Sequence, residues 1–101
     1  TTLLADVRVD LAILGATGVD AVAGVTNVNL PEAEVKRRMV ACASRRVLAA
    51  DASKLGRVHL GRVCGLDELD ELITDDAAPD AALAPLRAAG LRVTTVAPRR
   101  L

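Results

Sequence analysis

The stretch from Val47 to Gly56 constrains the fold most, because an aliphatic run ends there abruptly in polar residues. The run Val47–Ala50 is short and aliphatic, which is typical of a buried strand. Asp51, Ser53 and Lys54 follow it directly. In an open α/β sheet, ligands bind in the crevice outside the carboxyl ends of the strands. The stretch therefore predicts a strand whose following loop is a candidate ligand site.

The three polar side chains of this loop suit an anionic, hydroxylated ligand. Lys54 supplies a mobile cation for phosphate or carboxylate. Asp51 can accept from sugar hydroxyls or orient Lys54, and Ser53 can both donate and accept. The alternative is an ordinary polar turn with a solvated lysine, since loops rich in Asp, Ser and Gly are common.

Composition excludes several classes of function. The chain of 101 residues is 51% hydrophobic and 26% charged, which predicts one small globular domain. Thirteen basic and thirteen acidic residues cancel, so no basic face for direct DNA binding is expected. There is no Phe, Tyr or Trp to stack on bases. No apolar stretch is long enough to span a membrane.

The two cysteines, Cys42 and Cys64, lie too far apart in the sequence for a local metal motif, and His59 is the single histidine. We therefore expect no metal site and two reduced core thiols in a cytoplasmic protein. The chain begins at Thr1 without a secretory pattern, and we expect it to be a piece of a longer protein.

A second aliphatic run, Val9–Leu14, predicts another strand that ends at Gly15. Gly15 and Gly18 then form a tight loop, which is either a plain turn or a place where a ligand approaches the backbone closely. The turn-forming residues 20–29 predict irregular chain.

A helix is predicted from the N-cap Asn29 to about Ala43, with Pro31 in its first turn. Its buried stripe is predicted to comprise Val35, Met39 and Cys42. The basic run 36–38 is predicted to form a solvated face of the helix. Within it Lys36 stands out, because it follows Glu32 at the i,i+4 spacing of an ion pair.

The rest of the chain alternates strands with helices. A half-exposed strand is predicted over Arg57–Val63 with His59 on the surface, and a helical turn over Leu66–Leu69. The strand Glu71–Thr74 and the helix Asp80–Ala89 follow. Leu83 and Leu86 face inward from this helix, Gly90 ends it, and Leu91–Val96 is the last strand. The polar strand ends at Gly15, Asp51 and Asp75 would share one rim. The pattern predicts an α/β fold, a largely parallel sheet flanked by helices.

Five motifs follow one another along the chain: Asp10–Gly18, Gly24–Asn27, Glu32–Arg37, Leu48–Gly56 and Leu72–Asp75. In this order they resemble the C-terminal sensor domain of DeoR-family bacterial transcriptional regulators, from about Val9 to Val96. The resemblance implies the fold of ribose-5-phosphate isomerase and the coenzyme A transferases. It also implies a phosphorylated sugar as effector and a homo-oligomer. A winged helix-turn-helix of the full protein would hold operator DNA, and effector binding would relieve repression.

The resemblance implies an effector site without cofactor, metal or catalytic residue. Its residues are Gly15, Thr17, Gly18, Glu32, Lys36, Asp51, Ser53 and Lys54. Thr17 stands where the family usually has Asp. Residues 1–101 would be the C-terminal part of the sensor domain, without the helix-turn-helix and without the first half, which carries a Gly-Thr-Thr loop.

Two other functions remain open at this point. A sugar-phosphate isomerase-like enzyme would need a carboxylate base among Asp20, Glu32 and Glu34. The enzymes of this fold read Glu-Lys where this chain has the basic run 36–38, which has the wrong sign for a base. The other alternative is an α/β module that oligomerises without a ligand.

Overall fold

The computed structural model describes residues 8–97, which form seven strands and two helices. In chain order these are β1 (Val9–Leu14), β2 (Gly18–Asp20), β3 (Gly24–Asn27), α1 (Leu30–Cys42), β4 (Ala43–Ala49), β5 (Gly61–Cys64), β6 (Glu71–Asp75), α2 (Asp80–Ala88) and β7 (Arg92–Val96). Short 3-10 turns cover Ala52–Lys54 and Leu66–Glu68.

The larger sheet has four strands in the order β1-β4-β6-β7, and every neighbouring pair is parallel. Leu48 of β4 pairs with Leu72 of β6, which in turn pairs with Val93 of β7. The predicted α/β fold with a largely parallel sheet is therefore confirmed. All four strands end at one edge, which we call the carboxyl edge.

A second, three-stranded sheet is antiparallel and has the order β2-β3-β5. The prediction of irregular chain over residues 20–29 was wrong at β3, where Thr26 pairs with Gly18 and Asn27 pairs with Gly61. The reason is mutual backbone hydrogen bonding among short strands, which local turn propensity does not encode. The strand predicted over Arg57–Val63 is confined to β5.

Helix α1 begins and ends close to where it was predicted. The Oδ1 atom of Asn29 accepts a hydrogen bond from the backbone N–H of Glu32 at 2.9 Å, as an N-cap does. The next residue after Cys42 already belongs to β4, so no loop separates helix from strand.

The predicted buried stripe of α1 was wrong at Val35, which is 52% exposed. The helix instead buries Ala33, Val40 and Cys42. Ala33 lies against Gly61 of β5, where an added Cβ would come within 3.0 Å of the Ala33 Cβ. This close contact turns Ala33, rather than Val35, toward the core.

The core lies between the two sheets and the helices. Its apolar side chains are aliphatic apart from the thiols, and the polar residues Thr26, Asn27 and Thr74 are buried with them. Its largest fully buried apolar side chains are Leu48, Leu72, Val19 and Val25. Helix α2 adds Leu83 and Leu86 as predicted, and Gly90 follows it with φ +94°. No helix within residues 8–97 is long and apolar enough to cross a membrane.

Candidate functional site

The carboxyl edge brings together the loops that follow β1, β4 and β6. Helix α1 starts at the same edge, because the N–H of Val28, just before the helix, donates to Thr17 Oγ1 in the loop after β1 at 2.9 Å. The predicted rim of polar strand ends is thus assembled by the parallel sheet, and the first half of α1 lies beside it.

The segment Asp51–Lys54, which we call the Asp51 turn, is a compact capped turn directly after β4. The Oδ1 atom of Asp51 accepts from the Ser53 backbone N–H at 2.9 Å and from the Ser53 hydroxyl. Hydrogen bonds from Ser53 lower the pKa of Asp51, the bond from its hydroxyl more than the bond from its backbone N–H. The positive charges of Lys54 and Arg57 lower this pKa further. Asp51 is therefore an anion at neutral pH, with Oδ1 committed to the turn.

Asp75, at the end of β6, ties this turn to the neighbouring strand. Its Oδ2 accepts from the Ala52 N–H at 3.0 Å, and its Oδ1 accepts from the Ala77 N–H at 3.0 Å. Asp75 was predicted at this rim as a polar strand end, yet it was absent from the predicted site residues.

Thr17 is held on three sides in the loop after β1. Its N–H donates to the Thr26 carbonyl at 3.2 Å, and its hydroxyl oxygen accepts from Val28. Its carbonyl lies 3.2 Å from the Nε2 atom of His59. His59 is half-buried rather than fully on the surface as predicted, and its backbone N–H donates to Thr26 Oγ1 at 3.0 Å. This network fixes Thr17 in place and occupies its hydroxyl.

The two glycines of that loop have different surroundings. Gly15 is exposed, and a Cβ added there would meet nothing closer than the Ala49 carbonyl oxygen at 3.9 Å. Gly18 is buried, and an added Cβ would lie 2.4 Å from the Arg57 carbonyl oxygen. The close backbone approach at Gly18 is therefore made by the protein's own chain, and Gly15 is the glycine that faces open space.

Glu32 and Lys36 meet through a third residue. Lys36 Nζ donates to Asn27 Oδ1 at 2.9 Å, and Asn27 Nδ2 donates to Glu32 Oε2 at 3.1 Å. We call these three residues the Asn27 cluster. A surface groove of about 430 Å³ runs beside it, lined by Pro31, Glu32, Val35, Lys36 and Met39. The predicted list missed Asn27, because neither its burial nor its contacts with α1 were visible in the sequence.

Apart from the loop 15–18, the predicted residues form two groups rather than one contact network. The Asp51 turn is joined to β2 through the Gly56 N–H, which donates to the Val19 carbonyl at 2.7 Å. Within residues 8–97, no hydrogen bond or ion pair joins the Asp51 turn to the Asn27 cluster. A ligand bound by both groups would have to bridge them across the carboxyl edge.

No group of three or more His, Cys, Asp and Glu side chains in the described part of the chain is placed to hold a metal ion. Cys42 and Cys64 are both buried free thiols, as expected. Burial raises the pKa of Cys64 to about 11, so this thiol is protonated at neutral pH.

An open parallel sheet with polar loops gathered at its carboxyl edge is the arrangement at which α/β domains of this kind bind their ligands. Residues 1–76 match the family model described as the DeoR C-terminal sensor domain, and the chain belongs to this family.

Several relatives are named as transcriptional regulators. The chain is 34% identical over 87 residues to the putative aga operon transcriptional repressor of Escherichia coli O157:H7, covering 86% of this chain and 32% of that protein. It is 44% identical over 66 residues to the HTH-type transcriptional regulator GlpR of Haloferax volcanii (65% and 26%). It is 36% identical over 72 residues to the HTH-type transcriptional repressor GlcR of Bacillus subtilis (71% and 28%). The chain thus spans at most about a third of the length of these relatives.

Proposed function

We propose that this chain is the effector-sensing part of a transcriptional repressor of sugar metabolism, and that it binds a phosphorylated sugar at the carboxyl edge. The observation that carries the proposal is the Asp51 turn at the end of β4, with a lysine and an ionised carboxylate braced by Asp75. Family membership and the names of the relatives support the same function.

Each group of the edge has a role in this proposal. Lys36 and Lys54 are the only lysines of the chain; Lys54 lies in the Asp51 turn, and Lys36 lies on α1 beside the groove. Their ammonium groups bind the phosphate oxygens. Asp51 Oδ2 accepts no hydrogen bond from residues 8–97, so it accepts one from a sugar hydroxyl. Gly15 leaves room for the ligand beside the backbone.

DNA binding lies outside this chain, because the thirteen basic and thirteen acidic residues of the chain give no basic face. Operator DNA is held by a helix-turn-helix elsewhere in a cytoplasmic, homo-oligomeric repressor. Effector binding changes the arrangement of the DNA-binding domains and relieves repression.

The surroundings of the carboxylates support binding rather than isomerase chemistry. Glu34 is ion-paired with Arg38 at 2.8 Å, and Glu32 accepts from Asn27. The Ala23 and Val22 N–H groups donate to Asp20 and lower its pKa, which makes it a weaker base.

The experiment is a thermal-shift screen of the full-length repressor against phosphorylated sugars and polyols. A ligand at about 100 times its Kd adds about 2.7 kcal/mol of apparent stability. We expect one compound to raise Tm and Lys54→Ala to abolish most of that rise. Arg92→Ala is the matched control: it removes an exposed cation from the start of β7, at the opposite edge, and should leave the shift unchanged.

Two results would contradict the proposal. The first is an equal Tm shift in the native protein and in Lys54→Ala. The second is steady conversion of ribose 5-phosphate to its ketose, which would make the protein an isomerase.

A further inference from the structure

Asn27 is a buried polar residue at the end of β3, and it contacts two opposite charges at once. Its side chain is 1% exposed. The amide nitrogen Nδ2 donates to Glu32 Oε2 at 3.1 Å and to the Asn29 carbonyl at 3.3 Å. The amide oxygen Oδ1 accepts from Lys36 Nζ at 2.9 Å. Both amide protons and the amide oxygen are therefore in use.

We propose that Asn27 is a positioning residue that holds the Lys36 ammonium beside the groove and keeps Glu32 from pairing with it directly. At i,i+4 on one helix, a glutamate followed by a lysine ordinarily forms an ion pair. Here the neutral amide satisfies each charge with a different atom. Lys36 thus keeps an ammonium charge that no carboxylate contacts within residues 8–97.

The backbone of Asn27 is fixed firmly enough for such a role. It pairs with Gly61 of β5, where an added Cβ would lie 2.8 Å from the Asn27 carbonyl oxygen. The amide side chain is also enclosed by the first turn of α1 through Asn29 and Glu32. The ammonium has three protons, and Asn27 Oδ1 accepts one of them, so two remain for an anion.

The chain offers an internal reference for a test, because Lys36 and Lys54 are its only lysines. Amines of the full-length protein are acetylated with limiting acetic anhydride, and peptide mass spectrometry gives the Lys36 to Lys54 labelling ratio. In Asn27→Ala the ammonium loses its acceptor. In a Glu32→Gln background we expect the ratio to rise about two- to tenfold, the range for one hydrogen bond. With Glu32 present the rise should be smaller, because Glu32 is then free to pair with Lys36. A general loss of stability would expose both lysines and move the ratio little.

The matched control is Asn29→Asp, which removes an amide two residues away but keeps the N-cap acceptor and the carbonyl that Asn27 uses. The ratio should stay at its native value. The Asn27→Ala comparison is repeated in a Glu32→Gln background, where no carboxylate can take over the ammonium. An unchanged ratio in both backgrounds overturns the proposal.

Asn27→Asp separates positioning from charge. The introduced carboxylate should hold the ammonium more strongly than the amide does, so the ratio should fall below the native value. A rise above the native ratio in Asn27→Asp would overturn the proposal.

A second labelling experiment rests on the proposed function. It uses inorganic phosphate as the probe, with chloride at equal ionic strength as the control. Phosphate should slow labelling of Lys36 in the native protein, and Asn27→Asp should lose that protection. Protection of Lys54 alone would leave the proposed function in place and overturn the availability of Lys36 for an anion. Protection of neither lysine counts against the proposed function, while the ratios still decide the role of Asn27.

Discussion

The parallel sheet and the antiparallel sheet share one core, yet different physical features hold them together. The parallel strands are rich in aliphatic residues, such as Val47 and Leu48 in β4, and hydrophobic burial stabilises them. The antiparallel strands are only three or four residues long, and glycines let their backbones approach closely. A hydrophobic pattern specifies the first sheet, whereas steric fit specifies the second.

The two sheets also contribute differently to the candidate site. The parallel sheet delivers the Asp51 turn and Asp75 to one edge because its strands share a direction. The antiparallel sheet presents Asn27 and adjoins Thr17, which directly precedes β2, and both residues position neighbouring groups. The parallel sheet thus places charged groups at the candidate site, whereas the antiparallel sheet positions their neighbours. Substitutions in the two sheets should therefore have different consequences.

The largest effect is expected at Gly24 in the antiparallel sheet. It has φ +81°, and an added Cβ would lie 2.4 Å from the Cys64 carbonyl oxygen. Gly24→Ala should therefore lower the free energy of unfolding by about 3 kcal/mol or more, through strain and clash together. Urea unfolding of the full-length protein, followed by circular dichroism, measures this.

Gly56→Ala is the control, because Gly56 has φ +82° but open space around the added Cβ. It should cost only about 1–2 kcal/mol, from backbone strain alone. Equal losses in the two variants would show that backbone fit is not what holds the antiparallel sheet.

A smaller effect is expected at high pH from Cys64 in β5. Its pKa is raised from 9.0 to about 11, chiefly because burial disfavours the thiolate. The unfolded chain loses this proton first, so the free energy of unfolding should fall as pH rises from about 9 to about 11. The loss amounts to about 2 kcal/mol at most, and urea unfolding at several pH values measures it.

The comparison is with Cys64→Ala, in which the lysines and arginines still titrate but this thiol is gone. The variant should show a shallower decline over the same pH range. Parallel curves would mean that the buried thiol of the antiparallel sheet is not coupled to folding.

The smallest effect, and a stabilising one, is expected in the parallel sheet at Thr74 of β6. Its hydroxyl is buried and has no hydrogen-bond partner within residues 8–97. Thr74→Val keeps the shape and removes the unsatisfied group, so it should raise the free energy of unfolding by about 1 kcal/mol. Thermal unfolding with Thr95→Val as control checks this, since Thr95 is the exposed register partner on β7. An equal gain in both variants would point to strand propensity instead.

The sequence predicted the parallel strands from their short aliphatic runs, and it predicted both helices from recognisable ends, Asn29 before α1 and Gly90 after α2. It failed at Gly24–Asn27, where β3 forms only by pairing with chain on both sides. The buried face of α1 was misplaced for a related reason: a contact with Gly61, distant in sequence, decides which side faces inward.

In the candidate site, too, local sequence predicted some residues, and contacts between segments decided the others. The Asp51 turn was visible because polar residues follow a strand within one continuous stretch. Asn27 and Asp75 were missed as site residues because their partners come from other segments. Which residues contact the effector stays a prediction, since two groups of side chains face the edge without touching each other.

The register of the parallel sheet also has a consequence for the folding kinetics. Val9 pairs with Ala43 and Leu48 pairs with Leu72, so each ladder closes a long loop before it gains a contact. Topologies of this kind fold slowly, since the entropy of loop closure is lost before contacts compensate for it. The loops after β1 and β4 become neighbours only once that closure is complete. A ligand that needs both would therefore recognise chains that have finished folding and leave nascent or partly folded ones unbound.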